Sequence, residues 1–262
     1  MGYASLDASL SFPDDNLPPN KRSILITDTL SASGNFLIHH FIVNQVKSDK
    51  HVVLVGLSQI FNHYLTIGRK LGVNLTLATQ KGLLSFIDGL TSLYSQTDGF
   101  SKSTSTTITI PTAVLTCTAS SISNSQTSKE ILQNFYKVIK QTIVARFNVR
   151  DILEFVKACR MLIEKYNGSL IILIHADEDV SPSSFDDELD QEIFLKLLIY
   201  QSEYLLSVRG LGSGFSRDVS GEITMARGPK NQDKWFRPST LHYKVLDNNV
   251  QFFAKGFSQG VL

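Results

Sequence analysis

Residue types that specialise a protein are scarce in this chain. There are two cysteines, Cys117 and Cys159, both in apolar or hydroxyl-rich surroundings and without a C-x-x-C pair. That excludes a disulfide scaffold or a cysteine-rich metal centre and points to a reducing compartment. Charge of one sign is also missing: 25 basic residues stand against 24 acidic ones, a net charge of +1. The total therefore argues for neither nucleic acid nor an anionic membrane as partner. No apolar run reaches the ~20 residues of a membrane span, and Met1 to Asn20, with Asp7, Asp14, Asp15 and three prolines, has no apolar core and so does not read as a secretory signal. The expectation is a protein with no membrane association, in the cytoplasm, with the nucleus as a further location. The glycosylation triplets at Asn74 and Asn167 would then go unused.

What is present is 42% apolar and 19% charged residues over 262 positions, which excludes a disordered chain and allows a sizeable core in one large or two small domains. Residues 1–20 read as a flexible leader. Ser23 to Thr27 is a short β-branched run, followed by a small-residue loop, Thr29 to Gly34. Leu37, Ile38, Phe41, Ile42 and Val46 then recur at helical spacing. His51 to Leu57 is continuously apolar, as a strand covered on both faces is, and Ile60, Tyr64, Ile67 and Leu71 follow with helical spacing. Leu83 to Ile87 reads as a third strand. Residues 95–128 form a Ser/Thr-rich insertion in which only Thr106 to Cys117 has strand-like content. Helical patterns return at Ile131 to Ile139 and Val149 to Tyr166, the second stopped by Asn167-Gly168. Ser169 to His175 is the strongest buried-strand signal. An acidic loop beginning at Asp177 leads to a helix from about Glu188 to Gln201. The remainder, Leu205 to Arg209, Glu222 to Arg227, Leu241 to Leu246 and Val250 to Lys255, reads as antiparallel hairpins with turn signals at Ser220-Gly221 and Asn248-Asn249. Alternating βα units closed by hairpins predict a single α/β domain over residues 21–262 with a mixed, mostly parallel sheet.

The first strand-loop-helix is where a phosphate would bind, because a glycine loop running into a helix N-terminus offers amides and a positive dipole end to an anion. Laid on G-x-x-x-x-G-K-[ST], the loop Thr29, Leu30, Ser31, Ala32, Ser33, Gly34, Asn35, Phe36 keeps only Gly34. Thr29 replaces the first glycine, Asn35 the lysine that neutralises phosphate charge, and Phe36 the hydroxyl that holds magnesium, so phosphoryl transfer lacks its working parts. Gly256-Phe-Ser258-Gln-Gly260 matches a nucleophile elbow in letters, but only two residues follow it, which leaves no place for the acid and histidine. Gly210-Leu-Gly212-Ser-Gly214 lies between strands and reads as a turn. The six histidines have no metal-ligand spacing, and His175 at a strand end reads as a core or edge histidine. The acidic loop reads as a solvated charge run.

From Arg209 to Lys244 seven basic residues outnumber three acidic ones, with Trp235 and Phe236 among them, a mixture that suits phosphate neutralisation with base stacking. An interaction role thus outranks an enzymatic one. The readings left open beside it are a stand-alone NTPase, which the resemblance given next would make RecA-like, and a free-standing single-stranded nucleic-acid binder.

Phe36-Leu-Ile-His-His-Phe41, Asn62-His63-Tyr64 with Gly68 to Leu75, Arg209 to Gly221, and Phe252 to Leu262 resemble the Elongator complex protein 6 family over nearly the whole chain, apart from the hydroxyl-rich insertion. The resemblance implies a RecA-like (P-loop NTPase-like) domain with a degenerate phosphate loop at Thr29, Ser31, Gly34, Asn35 and Phe36, no catalytic residue, no metal and no cofactor. It implies as partners the fourth and fifth Elongator proteins in a hetero-hexameric ring, the catalytic Elongator subunits, and tRNA modified at its wobble uridine in 5-carbonylmethyl fashion. Arg209, Arg217, Arg227, Lys230, Lys234 and Arg237 become the candidate tRNA contacts. One departure from the family pattern is the want of a strand between Ile139 and the helix beginning near Val149, where an acidic Walker B strand is expected.

Overall fold

Three runs of consecutive apolar residues set the layout, since a strand must be apolar throughout when both its faces are covered. The computed structural model describes residues 3–13, 16–89, 149–177, 185–214 and 216–255. The Ser/Thr-rich insertion, the strand pattern at Thr106 to Cys117, the helical pattern at Ile131 to Ile139 and the Gly256 to Gly260 motif lie outside them. Strands β1 (Ser23–Asp28), β2 (Val52–Gly56) and β4 (Leu170–His175) are those runs, each buried almost end to end. β1 lies between β4 and β5 (Tyr204–Arg209) and runs parallel to both. β6 (Gly221–Arg227), β7 (Ser239–Val245) and β8 (Val250–Ala254) add antiparallel, giving the order β4-β1-β5-β6-β7-β8. In β5 and β6 burial alternates residue by residue, as it does when one face is solvated. β2 pairs in parallel with β3 (Leu84–Asp88) as a separate two-stranded unit.

Pleating sorts the strand side chains into two layers. Ile24, Ile26, Ile171 and Leu173 face helix α2 (Asn35–Lys47), whose Leu37, Ile38, Phe41 and Ile42 are buried with them. Leu25, Leu170, Ile172 and Ile174 face the opposite way, onto α5 (Val149–Lys165) and α6 (Phe185–Gln201) through Phe155, Val156, Cys159, Ile163, Phe194 and Leu198. Each such side chain contributes about 1.5–3 kcal/mol through removal of apolar surface from water. Helix α3 (Phe61–Lys70) and the short α4 (Leu75–Gln80) cover the β2-β3 unit. Periodicity does not announce α4. Its start is fixed by Asn74, whose side chain accepts from the Leu77 amide at 3.1 Å, and its buried residues are Leu75 and Ala78.

The segment expected to be a free leader is packed into the domain. Residues Ala4–Leu10 form α1, and Tyr3, Leu6, Leu10 and Phe12 are buried in the α2-side core. Polar groups fasten it as well. The Tyr3 amide donates to His40 Nδ1 at 3.0 Å, the Tyr3 and His40 rings stack at 5.6 Å, and the Asp7 carboxylate accepts from Asn44 at 2.8 Å and lies 3.2 Å from His40 Nε2. The prolines and aspartates suggested flexibility, but the spacing of Tyr3, Leu6 and Leu10 is a helical apolar stripe that the core absorbs. Among the described residues no helix is long and apolar enough to cross a membrane.

Candidate functional site

β1 ends at Asp28, and the chain turns through the loop into α2 at the C-terminal edge of the parallel strands, where α/β proteins bind ligands. The loop is tight. Thr29 and Ala32 exchange backbone hydrogen bonds at 3.3 and 3.0 Å, and the Thr29 and Ser31 hydroxyls are 3.1 Å apart. Gly34 is the N-cap of α2, and a Cβ there would lie 3.1–3.3 Å from Leu173, Ile26 and Asp28. Glycine is kept here for close approach to the sheet, since its φ of −85° is open to any residue.

Several of the amides that a phosphate loop turns to its anion are occupied by the protein itself. Gly34 N–H donates to Asp28 Oδ2 at 2.7 Å, and Leu30 N–H donates to both oxygens of Asp177 at 3.1 and 3.0 Å. Asn35 N–H and its side-chain amide donate to Ser33 Oγ at 3.3 and 3.0 Å. Phe36 is turned into the core against Tyr243, Phe252 and Tyr3, with centroids 4.9, 6.0 and 6.4 Å away. Asp28 is buried, and desolvation pushes its carboxyl above the ordinary range against the opposing pull of the Gly34 amide and His175. His175 Nδ1 contacts Asp28 Oδ1, a pairing delivered by the register that puts His175 beside Asp28.

Magnitudes decide what this loop can hold. A helix N-terminus favours an anion by about 0.3–1 kcal/mol at the surface. Two like charges 4 Å apart repel by about 4 kcal/mol at an effective dielectric near 20. With Asp177 on the loop and Asn35 in place of the lysine, a nucleotide phosphate meets repulsion without the cation that a working loop supplies at that position. The Asp177 carboxylate is thus a fixed loop acceptor, where the sequence suggested only a solvated charge; residues 178–184 of that acidic run lie outside the described residues.

The six basic candidates do not come together. Arg209 ends β5 opposite Glu222, near the phosphate loop, and Arg217 lies in the exposed turn that follows. Arg227 pairs with Tyr204 at the other end of β5, roughly 17 Å away for a six-residue strand. Lys230, Lys234 and Arg237 are exposed near that far end. The Arg227 guanidinium is spent on the carbonyls of Phe236 and Lys234, at 2.5–2.9 and 3.3 Å. Of the expected base-stacking aromatics, Phe236 is a core residue and Trp235 is half-buried against the core. Phe236 is fully buried against Tyr204, and Trp235 packs edge-on to Phe12 at 5.9 Å, because the segment folds under the sheet and buries its rings there.

A family profile described as "Elongation complex protein 6" matches residues 3–247. The chain belongs to that family. It is similar to Elongator complex protein 6 of Xenopus laevis, 29% identical over 274 residues (99% of this chain, 100% of the relative), and to that of Homo sapiens, 28% identical over 288 residues with the same coverage. The Mus musculus protein is 30% identical, with 87% of this chain and 89% of the relative covered. Among solved structures, a KaiC-like protein from Pyrococcus horikoshii OT3 shares the fold with TM-score 0.54 at 9% identity, each chain covered to 96%. A second Pyrococcus horikoshii protein, crystallised with an unknown peptide, gives 0.53 at 14%, covering 97% of this chain and 98% of its own. The fold of this family member is therefore RecA-like, with a degenerate phosphate loop.

At the opposite edge of the sheet the same family member carries a polar network that sequence reasoning missed. Buried Glu203 accepts from the Ser23 amide and hydroxyl, both at 2.8 Å, and pairs with Arg160. Asp233 accepts from Arg22 at 3.1 and 3.2 Å and from the Tyr204 hydroxyl. Burial pushes the Asp233 carboxyl up, but the bonds from Tyr204 and Arg22 outweigh it and hold the carboxyl below the ordinary range. This network anchors the residue 229–237 segment beneath β1 and β5. Its members are up to 211 residues apart, so no local signal reveals them.

Proposed function

We propose that this chain is a non-catalytic subunit of the Elongator complex, assembled with the fourth and fifth Elongator proteins into a hetero-hexameric ring. In that ring it supports wobble-uridine modification of tRNA by the catalytic subunits, through assembly and tRNA contact. Family membership over residues 3–247 carries the assembly half of this reading. The non-catalytic half is supported by one observation: Asp28 and Asp177 take the amides of Gly34 and Leu30, at the place where a working loop holds phosphate, while Asn35 and Phe36 replace its lysine and hydroxyl. A group that neutralises no phosphate charge and holds no magnesium supplies none of the electrostatic stabilisation that phosphoryl transfer depends on.

The test is magnesium-dependent NTP turnover by the purified full chain, beside co-purification with the two partner proteins. The expected result is no turnover above background and recovery in one complex. Turnover by the chain alone, abolished by Gly34→Arg, would establish the NTPase reading in its place.

A further inference from the structure

Between Asp49 and Asp88 the sequence contains no aspartate or glutamate, yet it holds Lys50, Arg69, Lys70 and Lys81. This acid-free stretch covers the β2-α3-α4-β3 unit up to Asp88, which closes β3 at the end away from Lys50. Its cations gather at one end. Lys47, closing α2, donates from Nζ to the Leu71 carbonyl at 3.1 Å, which brings the end of α2 to the end of α3 at Arg69 and Lys70. His51 Nδ1 lies 3.0 Å from the Gly82 carbonyl, which brings the start of β2, with Lys50, to the end of α4 at Lys81. Lys47, Arg69, Lys70 and Lys81 are exposed, and Lys50 is half-buried.

Little neutralises this surface, although Lys21, Arg217, Lys230, Lys234 and Arg237 likewise have no ion pair among the described residues. Arg22, Arg160, Lys157, Lys196, Lys244 and Lys255 are each paired with a carboxylate. Lys70 instead donates to a neutral carbonyl, that of Asp247, at 3.2 Å. Lys50, Arg69 and Lys81 have no ion pair among the described residues, and the acids nearby are Asp49 and Asp247. The C-terminal ends of α2, α3 and α4 offset about half a charge each, so the surface stays positive.

We propose that the basic end of the β2-α3-α4-β3 unit, formed by Lys47, Lys50, Arg69, Lys70 and Lys81, is a binding surface for the phosphate backbone of structured RNA. Cations on separate elements, without base-reading aromatics between them, suit backbone contact, which positions a nucleic acid without reading its sequence. The proposal rests on the ring reading only for the identity of the RNA, and the surface itself stands on the charge distribution.

The test compares the full chain, alone and co-expressed with the two proposed partners, with the double variant Arg69→Glu/Lys81→Glu and the control Lys230→Glu/Arg237→Glu. Binding of labelled bulk tRNA is titrated over 50–200 mM salt (about the range in which such contacts are lost), with polyglutamate as a second probe and thermal melting as a fold check. The expected result is a fall in affinity on the order of 10-fold or more for Arg69→Glu/Lys81→Glu and a salt slope shallower by about 2, with unchanged melting and a smaller effect of the control. Unchanged RNA binding in that variant overturns the surface, as does tighter binding of polyglutamate than of tRNA by the parent. Failure to co-assemble while the variant still weakens RNA binding would count against the ring reading and leave this surface standing.

Discussion

Asp177 lies 147 residues beyond Leu30 yet holds its amide with both carboxylate oxygens. Individual substitutions at this scale test whether the loop is built as described. Gly34→Ala places a methyl 3.1 Å from Leu173 Cδ1 and 3.2 Å from Ile26 Cγ2. Overpacking of that kind costs about 1–3 kcal/mol, readable as a lower denaturation midpoint at unchanged slope. A second residue-scale prediction concerns His39 in α2, whose Nε2 lies 3.3 Å from His63 Nε2 in α3. Burial, with a smaller contribution from His63, pulls His39 down to about 3. The folded state thus keeps this ring neutral where the unfolded chain protonates it. Stability is fully present above the ordinary histidine value and is lost as pH falls through it toward 3, by up to about 1.4 kcal/mol per pH unit from this group. In His39→Gln the slope of stability against pH between 4 and 6.5 should flatten; an unaltered slope would show that His39 is not the group responsible. The missing lysine and hydroxyl of the loop were legible in the sequence because they occupy fixed offsets from Gly34. Asp28 and Asp177 as occupants were not, because strand register alone brings the ends of β1 and β4 together.

Elements with a single strong pattern were read close to their observed bounds. The buried runs at β1, β2 and β4 sit within a residue of their expected limits, and the C-terminal hairpins differ by one or two. Helix α6 begins at Phe185, three residues ahead of the expected Glu188. Two elements were illegible for physical reasons. Helix α4 is six residues long, too short to show a period, and depends on the Asn74 cap and on burial of Leu75 and Ala78. Helix α1 sits in a Pro- and Asp-containing segment whose composition masks the Tyr3, Leu6, Leu10 stripe. The docked leader carries a direct prediction. Leu6 is fully buried, so Leu6→Ala should cost about 2–5 kcal/mol, measured by chemical denaturation of the full chain. A leader independent of the domain would show no change.

For the molecule as a whole, the near-zero net charge conceals an uneven distribution. Acids are concentrated from Asp177 onward, while the β2-α3-α4-β3 unit has one, Asp88 at the end of β3. The sequence drew attention to the Arg209 to Lys244 region because its basic residues are close along the chain. In space that region is split between the two ends of β5, and Arg227 is tied to backbone carbonyls. The cations of the N-terminal unit are spread along the chain and gathered by the fold, so no window of sequence displays them together. A RecA-like domain whose phosphate loop is filled by its own carboxylates is suited to a place in an assembly more than to turnover. Native mass measurement of this chain co-expressed with the fourth and fifth Elongator proteins tests that claim most directly. The account predicts one species containing two copies of each of the three chains, and a stable monomer that leaves both partners unbound would contradict it.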